Sequence, residues 1–207
     1  MPRSINRFCS TGTALAILLV LGVLSGCVGT PSAISDIRYD FGPVTPPASS
    51  GTMPAVKVLD VTAPATLNSD NLNYRLGYAD SRQLASYANS HWTMPPSQLL
   101  TQRLRSALSS RGTVLTGTDG VPAPVLRVDL QEFEQVFDGR DESHGAVTAR
   151  ATLLQGDKVI SQHTFIARAP ASSSDAAGGA RALATASDEL VSQISAWFGV
   201  EALVAAQ

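Results

Sequence analysis

The residue whose type and position most directly imply chemistry is a cysteine near the amino terminus. It closes the motif Leu24-Ser25-Gly26-Cys27, at the end of the apolar run Thr13–Leu24 and behind a segment that carries two arginines. A basic segment, an apolar segment and small residues before a cleavage point are the features of a secretory signal. The thiol is nucleophilic enough to take a diacylglyceryl group. The sequence therefore predicts a lipoprotein signal peptide over residues 1–26 and lipidation of Cys27.

The apolar run is too short to span a membrane as a helix. Its 12 residues would extend about 18 Å at about 1.5 Å per residue, whereas the hydrocarbon core of a bilayer is about 30 Å thick. Attachment is therefore expected to come from the lipid. Each buried methylene contributes roughly 0.8 kcal/mol, so two or three acyl chains hold a protein durably.

Cysteine use agrees with this interpretation. The chain has two cysteines; Cys9 lies in the segment that processing removes, and Cys27 carries the lipid. The mature protein is therefore expected to have no disulfide. About 180 residues remain, which is enough for one domain with an ordinary hydrophobic core.

The predicted mature chain is acidic. Of 15 Lys+Arg, Arg3 and Arg7 are removed, which leaves 13 against 17 Asp+Glu and a formal net charge of −4. No basic run is present, and a polyanion would be repelled. Nucleic acid is therefore not an expected partner.

Residues 27–35 are expected to form a short tether between the lipid and the folded part. Val28–Ser35 extends at most about 28 Å at ~3.5 Å per residue, so the domain must lie close to its own membrane. In a Gram-negative cell, an aspartate after the lipidated cysteine tends to retain a lipoprotein at the inner membrane, and Val28 stands there instead. We therefore expect the protein at the periplasmic face of the outer membrane.

The rest of the chain offers little that could catalyse a reaction. It contains no Gly-x-Ser-x-Gly motif, no His-Glu-x-x-His motif, no zinc-type cysteine pairs and no phosphate-binding glycine loop. A Ser-His-Asp triad could combine His91 with Ser90 or Ser97 and Asp80, but no strand-turn-helix motif is present to activate that serine. We therefore expect no enzyme activity, no catalytic residue and no cofactor.

Two further histidines lie in segments that could supply metal ligands. The loop Asp138–His144 gathers carboxylates and an imidazole that could hold a divalent cation, but it lacks the spacing of known calcium loops. Its composition describes a polar hairpin connection equally well. His163 shares the parity of Val159 and Phe165 in a predicted strand, which favours a hydrogen-bonded core histidine. No metal site is therefore expected.

Alternating apolar residues predict a single periplasmic α+β domain over residues 36–200, followed by a tail at 201–207. After residue 130 the apolar positions change parity, which indicates a β-bulge near 131–133. Gly156-Asp157 suits a two-residue hairpin loop. Strand patterns occur at 37–41, 56–61, 72–78, 84–88, 126–137, 147–153 and 159–167.

A first amphipathic helix is predicted at about 95–111. Pro95-Pro96 suits its start, where a missing N–H is harmless, and Thr93 could cap it. Gly112 suits a left-handed C-cap at the other end.

A second helix is predicted at about 176–198, capped by Ser174 or Asp175 and ended by Gly199. Both helices carry one apolar stripe, so both must pack on the sheet. The expected fold is α+β, a two-layer sandwich with a mostly antiparallel sheet packed by two helices.

The segment Tyr74–Leu104, YRLGYADSRQLASYANSHWTMPPSQLLTQRL, resembles the family of ABC-type transport auxiliary lipoproteins. The cysteine motif at the amino terminus, the strand Val56–Val61 followed by Ala63-Pro64, and the closing helix add to the resemblance. It covers most of the predicted mature chain.

The resemblance implies a periplasmic component that works with an MCE-domain protein and an ABC transporter in lipid movement between membranes. Because the chain carries no ATPase motif and no predicted membrane span, it would be a non-enzymatic auxiliary subunit. A homo-oligomeric ring would match a symmetric MCE channel.

Four side chains of this segment are candidates for partner binding, because tyrosine, tryptophan and arginine favour the centres of interfaces. An alternative is that the rings are buried over the first helix and serve only the fold. The sequence favours the core for Trp92 and leaves both interpretations open for the others. The candidates are Tyr78, Arg82, Tyr87 and Trp92.

Two other functions are compatible with the sequence. One is a structural plug or assembly lipoprotein for an outer-membrane protein. The other is a lipid hydrolase that uses an unrecognised serine.

Overall fold

The computed structural model describes residues 36–43 and 52–205. The predicted signal peptide, Cys27 and the tether lie outside the described residues. The described part contains eight strands, two α-helices and a single 3₁₀ turn at Ala65–Leu67. In chain order the elements are β1 (Ile37–Tyr39), β2 (Val56–Val58), β3 (Asn71–Arg75), β4 (Leu84–Trp92), α1 (Pro96–Ser109), β5 (Val114–Leu115), β6 (Val125–Phe137), β7 (Ser143–Gln155), β8 (Lys158–Pro170) and α2 (Ala176–Ala205).

The long strands β6, β7 and β8 form the predicted antiparallel meander. The register of β6 against β7 shifts between Leu130 and Glu132, so the predicted β-bulge is confirmed. It explains why the buried apolar positions change parity before Phe133. Gly156 has a φ of +59° in the hairpin loop between β7 and β8, a backbone conformation that glycine adopts without strain.

The other edge of β6 is shared by two short strands, both parallel to it. β2 pairs with its beginning, at Lys57 and Val125, and β3 pairs with its end, at Tyr74 and Gln135. Beyond them, β4 pairs antiparallel with β3, β1 is parallel to β4, and β5 is parallel to β2. The predicted mostly antiparallel sheet is confirmed, with short parallel contacts joining the halves.

Both helices pack on one face of the sheet, which confirms the two-layer sandwich. α2 lies over β7 and β8 and buries Leu183, Leu190 and Ile194. α1 contacts the end of β2, where Arg105 Nη2 donates to the Val58 carbonyl at 2.7 Å, and the segment after it, where the Thr101 hydroxyl accepts a hydrogen bond from the Val61 N–H at 2.8 Å. The opposite face of the sheet is here called the outer face, and neither of the two helices in the described residues lies on it.

The predicted ends of α1 are only partly correct. Pro96 occupies the first turn, as expected, but Pro95 is the N-cap residue and no side chain caps the helix, so the prediction for Thr93 is wrong. Gly112 does not have a positive φ. A Cβ atom there would lie 2.6 Å from the Met53 carbonyl oxygen, so this glycine serves close backbone packing instead of a left-handed cap.

α2 begins where Asp175 caps it, since its Oδ1 accepts a hydrogen bond from the Gly178 N–H at 2.7 Å. The predicted end at Gly199 is wrong, because the helix continues to Ala205 and includes residues assigned to a tail. Phe198 is fully buried and Trp197 packs edge-on against Phe165 at 5.7 Å. This packing outweighs the helix penalty of a glycine, about 1 kcal/mol.

We expect Gly145→Ala to destabilise the protein, because α2 crosses β7 at this residue. An added Cβ would lie 2.6 Å from the Ala182 carbonyl carbon and from the Leu183 nitrogen, and backbone atoms cannot move as a side chain can. Overpacking of this kind lowers the free energy of unfolding by about 1–3 kcal/mol. Chemical denaturation of the purified protein measures it. Gly120→Ala is the matched control, since its Cβ would meet no atom within 4 Å; equal stability of both variants would contradict the prediction.

Candidate partner-binding surface

The hairpin between β3 and β4 presents two of the four candidate residues at the surface. Tyr78 is 49% exposed, and its N–H donates to the Phe137 carbonyl at 3.2 Å. Arg82 is exposed beside Asp80, whose Oδ1 accepts the Arg82 backbone N–H at 2.9 Å and lies 3.4 Å from its Nε. The loop backbone is thus held by hydrogen bonds, while the side chains of Tyr78 and Arg82 are accessible at the surface.

Tyr87 lies on β4, half-buried, and serves the fold. Its ring packs against Tyr74 with centroids 4.7 Å apart. Its hydroxyl donates to Gln135 Oε1 at 2.8 Å, and Gln135 Nε2 donates to Ser143 Oγ at 2.8 Å. Burial, with Tyr74 and Asp175 nearby, raises the pKa of Tyr87 to about 12, so the hydroxyl remains a donor at neutral pH. Its hydrogen bond ties β4 to β6.

Trp92 cannot contact a partner in this fold, so its candidacy is corrected. Its side chain is 0% exposed. It lies edge-on to Phe41 at 5.7 Å and to Phe133 at 5.5 Å, within the core cluster that also contains Leu100 and Leu104 of α1. Sequence reasoning favoured the core for this residue, and the structure places it there.

A groove of about 570 Å³ lies on the outer face beside the same hairpin. Hairpin residues line one side and the β6–β8 meander contributes the other. The sequence alone does not indicate this groove, although the alternation of apolar and polar residues along β6 to β8 after the bulge separates its lining residues from the core. Its lining includes Arg75, Ser81, Leu84, Glu132, Glu134, Val136, His144 and Arg168.

An ion pair fixes the hairpin to this groove. Arg75 donates from Nε to Glu134 Oε1 at 2.5 Å and from Nη2 to Oε2 at 2.9 Å, and its Nη1 donates to the Ser81 carbonyl at 2.8 Å. The hydrogen bonds to Glu134 raise the pKa of Arg75. Glu134 is only 4% exposed, and a buried carboxylate without its partner would be costly. Arg75 therefore orients the exposed loop.

The histidines do not assemble a reactive site. His144 Nδ1 lies 2.7 Å from Asp138 Oδ2 in the β6–β7 hairpin connection. The carboxylate facing His91 Nε2, at 3.5 Å, is Asp36 and not Asp80. Within residues 36–43 and 52–205, no group of three or more His, Cys, Asp or Glu side chains is arranged to hold a metal ion.

The expectation of a core histidine at position 163 is wrong. His163 is exposed, and its ring lies edge-on to Phe165 with centroids 4.7 Å apart. β8 is at the edge of the sheet and only its later residues, such as Ala167 and Ala169, are buried with Phe165. The alternation of residues along a strand indicates the face on which a residue lies, but it does not indicate where the helix that covers this face ends.

Among the residues that the structure describes, no helix is both long and apolar enough to cross a membrane.

Comparison with known proteins gives one family. Residues 39–195 match the family model described as the ABC-type transport auxiliary lipoprotein component. A search among curated proteins gave no match.

Solved structures share the fold at low sequence identity. A crystal structure of a Xanthomonas campestris protein of family DUF330 has a TM-score of 0.70 and 21% identity, over 83% of this chain and 96% of that one. An uncharacterised protein has a TM-score of 0.64 and 17% identity, over 79% and 98%. A hypothetical protein from Chlamydia trachomatis has a TM-score of 0.51 and 12% identity, over 75% and 100%. At these identities the likeness establishes the fold alone.

Proposed function

The chain belongs to the family of ABC-type transport auxiliary lipoprotein components, and from this membership we propose that it is a non-enzymatic auxiliary subunit of an MCE/ABC-type intermembrane lipid transport system. Its partner is an MCE-domain protein, and its anchor is lipid on Cys27 at the periplasmic face of the outer membrane. The family match over the folded part is the observation that carries this proposal. A homo-oligomeric ring belongs to it, because a ring would match a symmetric channel.

The short tether supports a role at one membrane. If residues 28–35 act as a tether from a lipidated Cys27, their length allows a reach of at most about 28 Å at ~3.5 Å per residue. A subunit held so close to one bilayer cannot cross the periplasm itself. Its partner must therefore reach it from the other membrane.

The β3–β4 hairpin is the surface that best suits the partner. Tyr78 is a large, half-exposed aromatic side chain, and Arg82 is an exposed cation on the same loop, with its Nε 3.4 Å from Asp80 Oδ1. The ion pair of Arg75 and Glu134 beneath the hairpin already restricts the conformations of the loop, so binding would cost less conformational entropy. Rigid aromatic and arginine side chains are the residues that dominate interface energetics.

Tyr78→Ala and Arg82→Glu should each weaken binding to the purified MCE-domain protein of the same transport system. An interface anchor that contributes about 2 kcal/mol corresponds to a loss of roughly 30-fold in affinity. Biolayer interferometry with immobilised lipoprotein measures this loss. Arg140→Glu, on the exposed β6–β7 connection, is the matched charge control and should bind as wild type does.

Other outcomes would favour the alternatives. Co-purification with an outer-membrane β-barrel, and no binding to the MCE-domain protein, would indicate the structural plug or assembly factor. Covalent labelling by a serine-reactive phosphonate would indicate the lipid hydrolase.

A further inference from the structure

The strand β8 has a long edge without a partner strand. Twelve of its 13 residues lie in the ladder with β7, with Ile160 left out at a register shift, and the strand extends about 43 Å at ~3.3 Å per residue. Within the described ranges, β8 pairs with β7 alone. Its other edge therefore presents a row of backbone donors and acceptors to the surroundings.

The other open edges of the described sheet are shorter. β1 has three residues and β5 has two, and β1 covers β4 only at Ser90–Trp92, which leaves residues 84–89 open on that side. Short edge strands, charges and prolines are the usual protection against unwanted strand addition. β8 carries Lys158 and Pro170 at its two ends, but the run Thr164–Ala167 between them has no charge. This stretch is unprotected.

The same stretch is packed against the core on one face and accessible on the other. On the inner face, Phe165 and Ala167 are buried beneath α2. On the outer face, Ile166 is 57% exposed, and Thr164 and Arg168 are exposed beside it. An added strand would thus find a preformed template with an apolar side chain at its centre.

Charge distinguishes among the possible occupants. β8 contains Lys158, His163 and Arg168 and no acidic residue, and no ion pair of the described residues involves the lysine or Arg168. Three carboxylates line the same groove as Arg168, and each has another partner: Glu132 accepts a hydrogen bond from Thr148, Glu134 is paired with Arg75, and Asp138 with His144.

A second copy is a poor occupant. A second β8 strand carries the same basic residues and no acidic one, so it offers no charge complementary to Lys158 and Arg168. The edge of β1 is too short to cover 13 residues.

We propose that β8 is the docking edge for an extended acidic segment of the partner protein, which adds to the sheet as a further strand. Main-chain hydrogen bonds supply affinity, Ile166 supplies an apolar contact, and Lys158 and Arg168 select acidic side chains. Arg168 also lines the groove on the outer face, so the added strand would widen that groove. The inference rests on the proposed function, because it assigns the segment to the MCE-domain protein.

Hydrogen exchange of the full-length lipoprotein, alone and with the purified MCE-domain protein, tests the proposal. The alternate amides of the segment 164–169 that face the free edge should exchange at least 10-fold more slowly in the complex, since a new strand would bond to them. Binding that protects only residues 76–83 would overturn the inference and leave the proposed function intact. Absence of binding would overturn both. Protection that grows with lipoprotein concentration, without partner, would identify a second copy and also overturn the inference.

Charge variants give an independent measurement. Arg168→Glu should weaken binding about 10-fold at low salt and less at high salt, because exposed charges are screened. Ile166→Asp should weaken it as well, because a carboxylate there removes the apolar contact and repels the acidic segment. Arg127→Glu is the control: this arginine is exposed on β6, away from the edge. Equal losses for Arg127→Glu and Arg168→Glu would overturn the assignment to β8.

Discussion

Replacement of Cys27 by serine is expected to move the protein from the membrane fraction to the soluble periplasmic fraction. A serine hydroxyl does not take the diacylglyceryl group, and each acyl methylene contributes roughly 0.8 kcal/mol of membrane binding. Without the lipid the folded part retains no comparable anchor, because the predicted mature chain is acidic and anionic lipid would repel it. Metabolic labelling with an alkyne fatty acid and density-gradient fractionation measure both steps.

Cys9→Ser is the matched control, since Cys9 lies in the segment that the signal interpretation removes. It should leave labelling and fractionation unchanged, with wild-type protein in the outer-membrane fraction. If Cys27→Ser remained labelled and membrane-bound, the lipoprotein interpretation would be wrong. Wild-type protein in the inner-membrane fraction would contradict only the argument from Val28.

Trp92→Ala is expected to lower the free energy of unfolding by about 3–5 kcal/mol, because it removes a fully buried ring and leaves a cavity. The loss corresponds to a decrease in melting temperature of roughly 6–20 °C for a domain of this size. Trp92→Phe keeps a ring against Phe41 and Phe133 and removes an Nε1–H that has no hydrogen-bond partner among the described residues. It should therefore be much less destabilising. Circular dichroism during thermal unfolding measures both variants.

Tyr78→Ala supplies the contrast. Its half-exposed side chain contributes little to the core, so stability should change by at most about 0.5 kcal/mol, whereas partner binding should weaken. A Trp92→Ala protein that melted like wild type but failed to bind the partner would show that this ring belongs to the interface and not to the core.

Sequence patterns predicted an element well where its conformation depends on neighbouring residues. The parity change after residue 130 indicated the bulge, and Gly156-Asp157 indicated the hairpin loop; both depend on a few neighbouring residues. Helix ends were less predictable. Gly112 and Gly199 both look like C-caps, but one allows a close approach to Met53 and the other lies within a helix held by its packing.

The sequence alone determined the class of the fold, because alternating patterns record which residues must be buried. Lipidation of Cys27 stays a prediction from the sequence, since such a motif is read from the chain before it folds. Tertiary structure decided what is exposed: it buried Trp92, left Tyr78 and Arg82 on a hairpin tied to β6 by Arg75 and Glu134, and left β8 at the edge. Exposure depends on which strands become neighbours and where a helix stops, and these contacts join residues far apart in the chain.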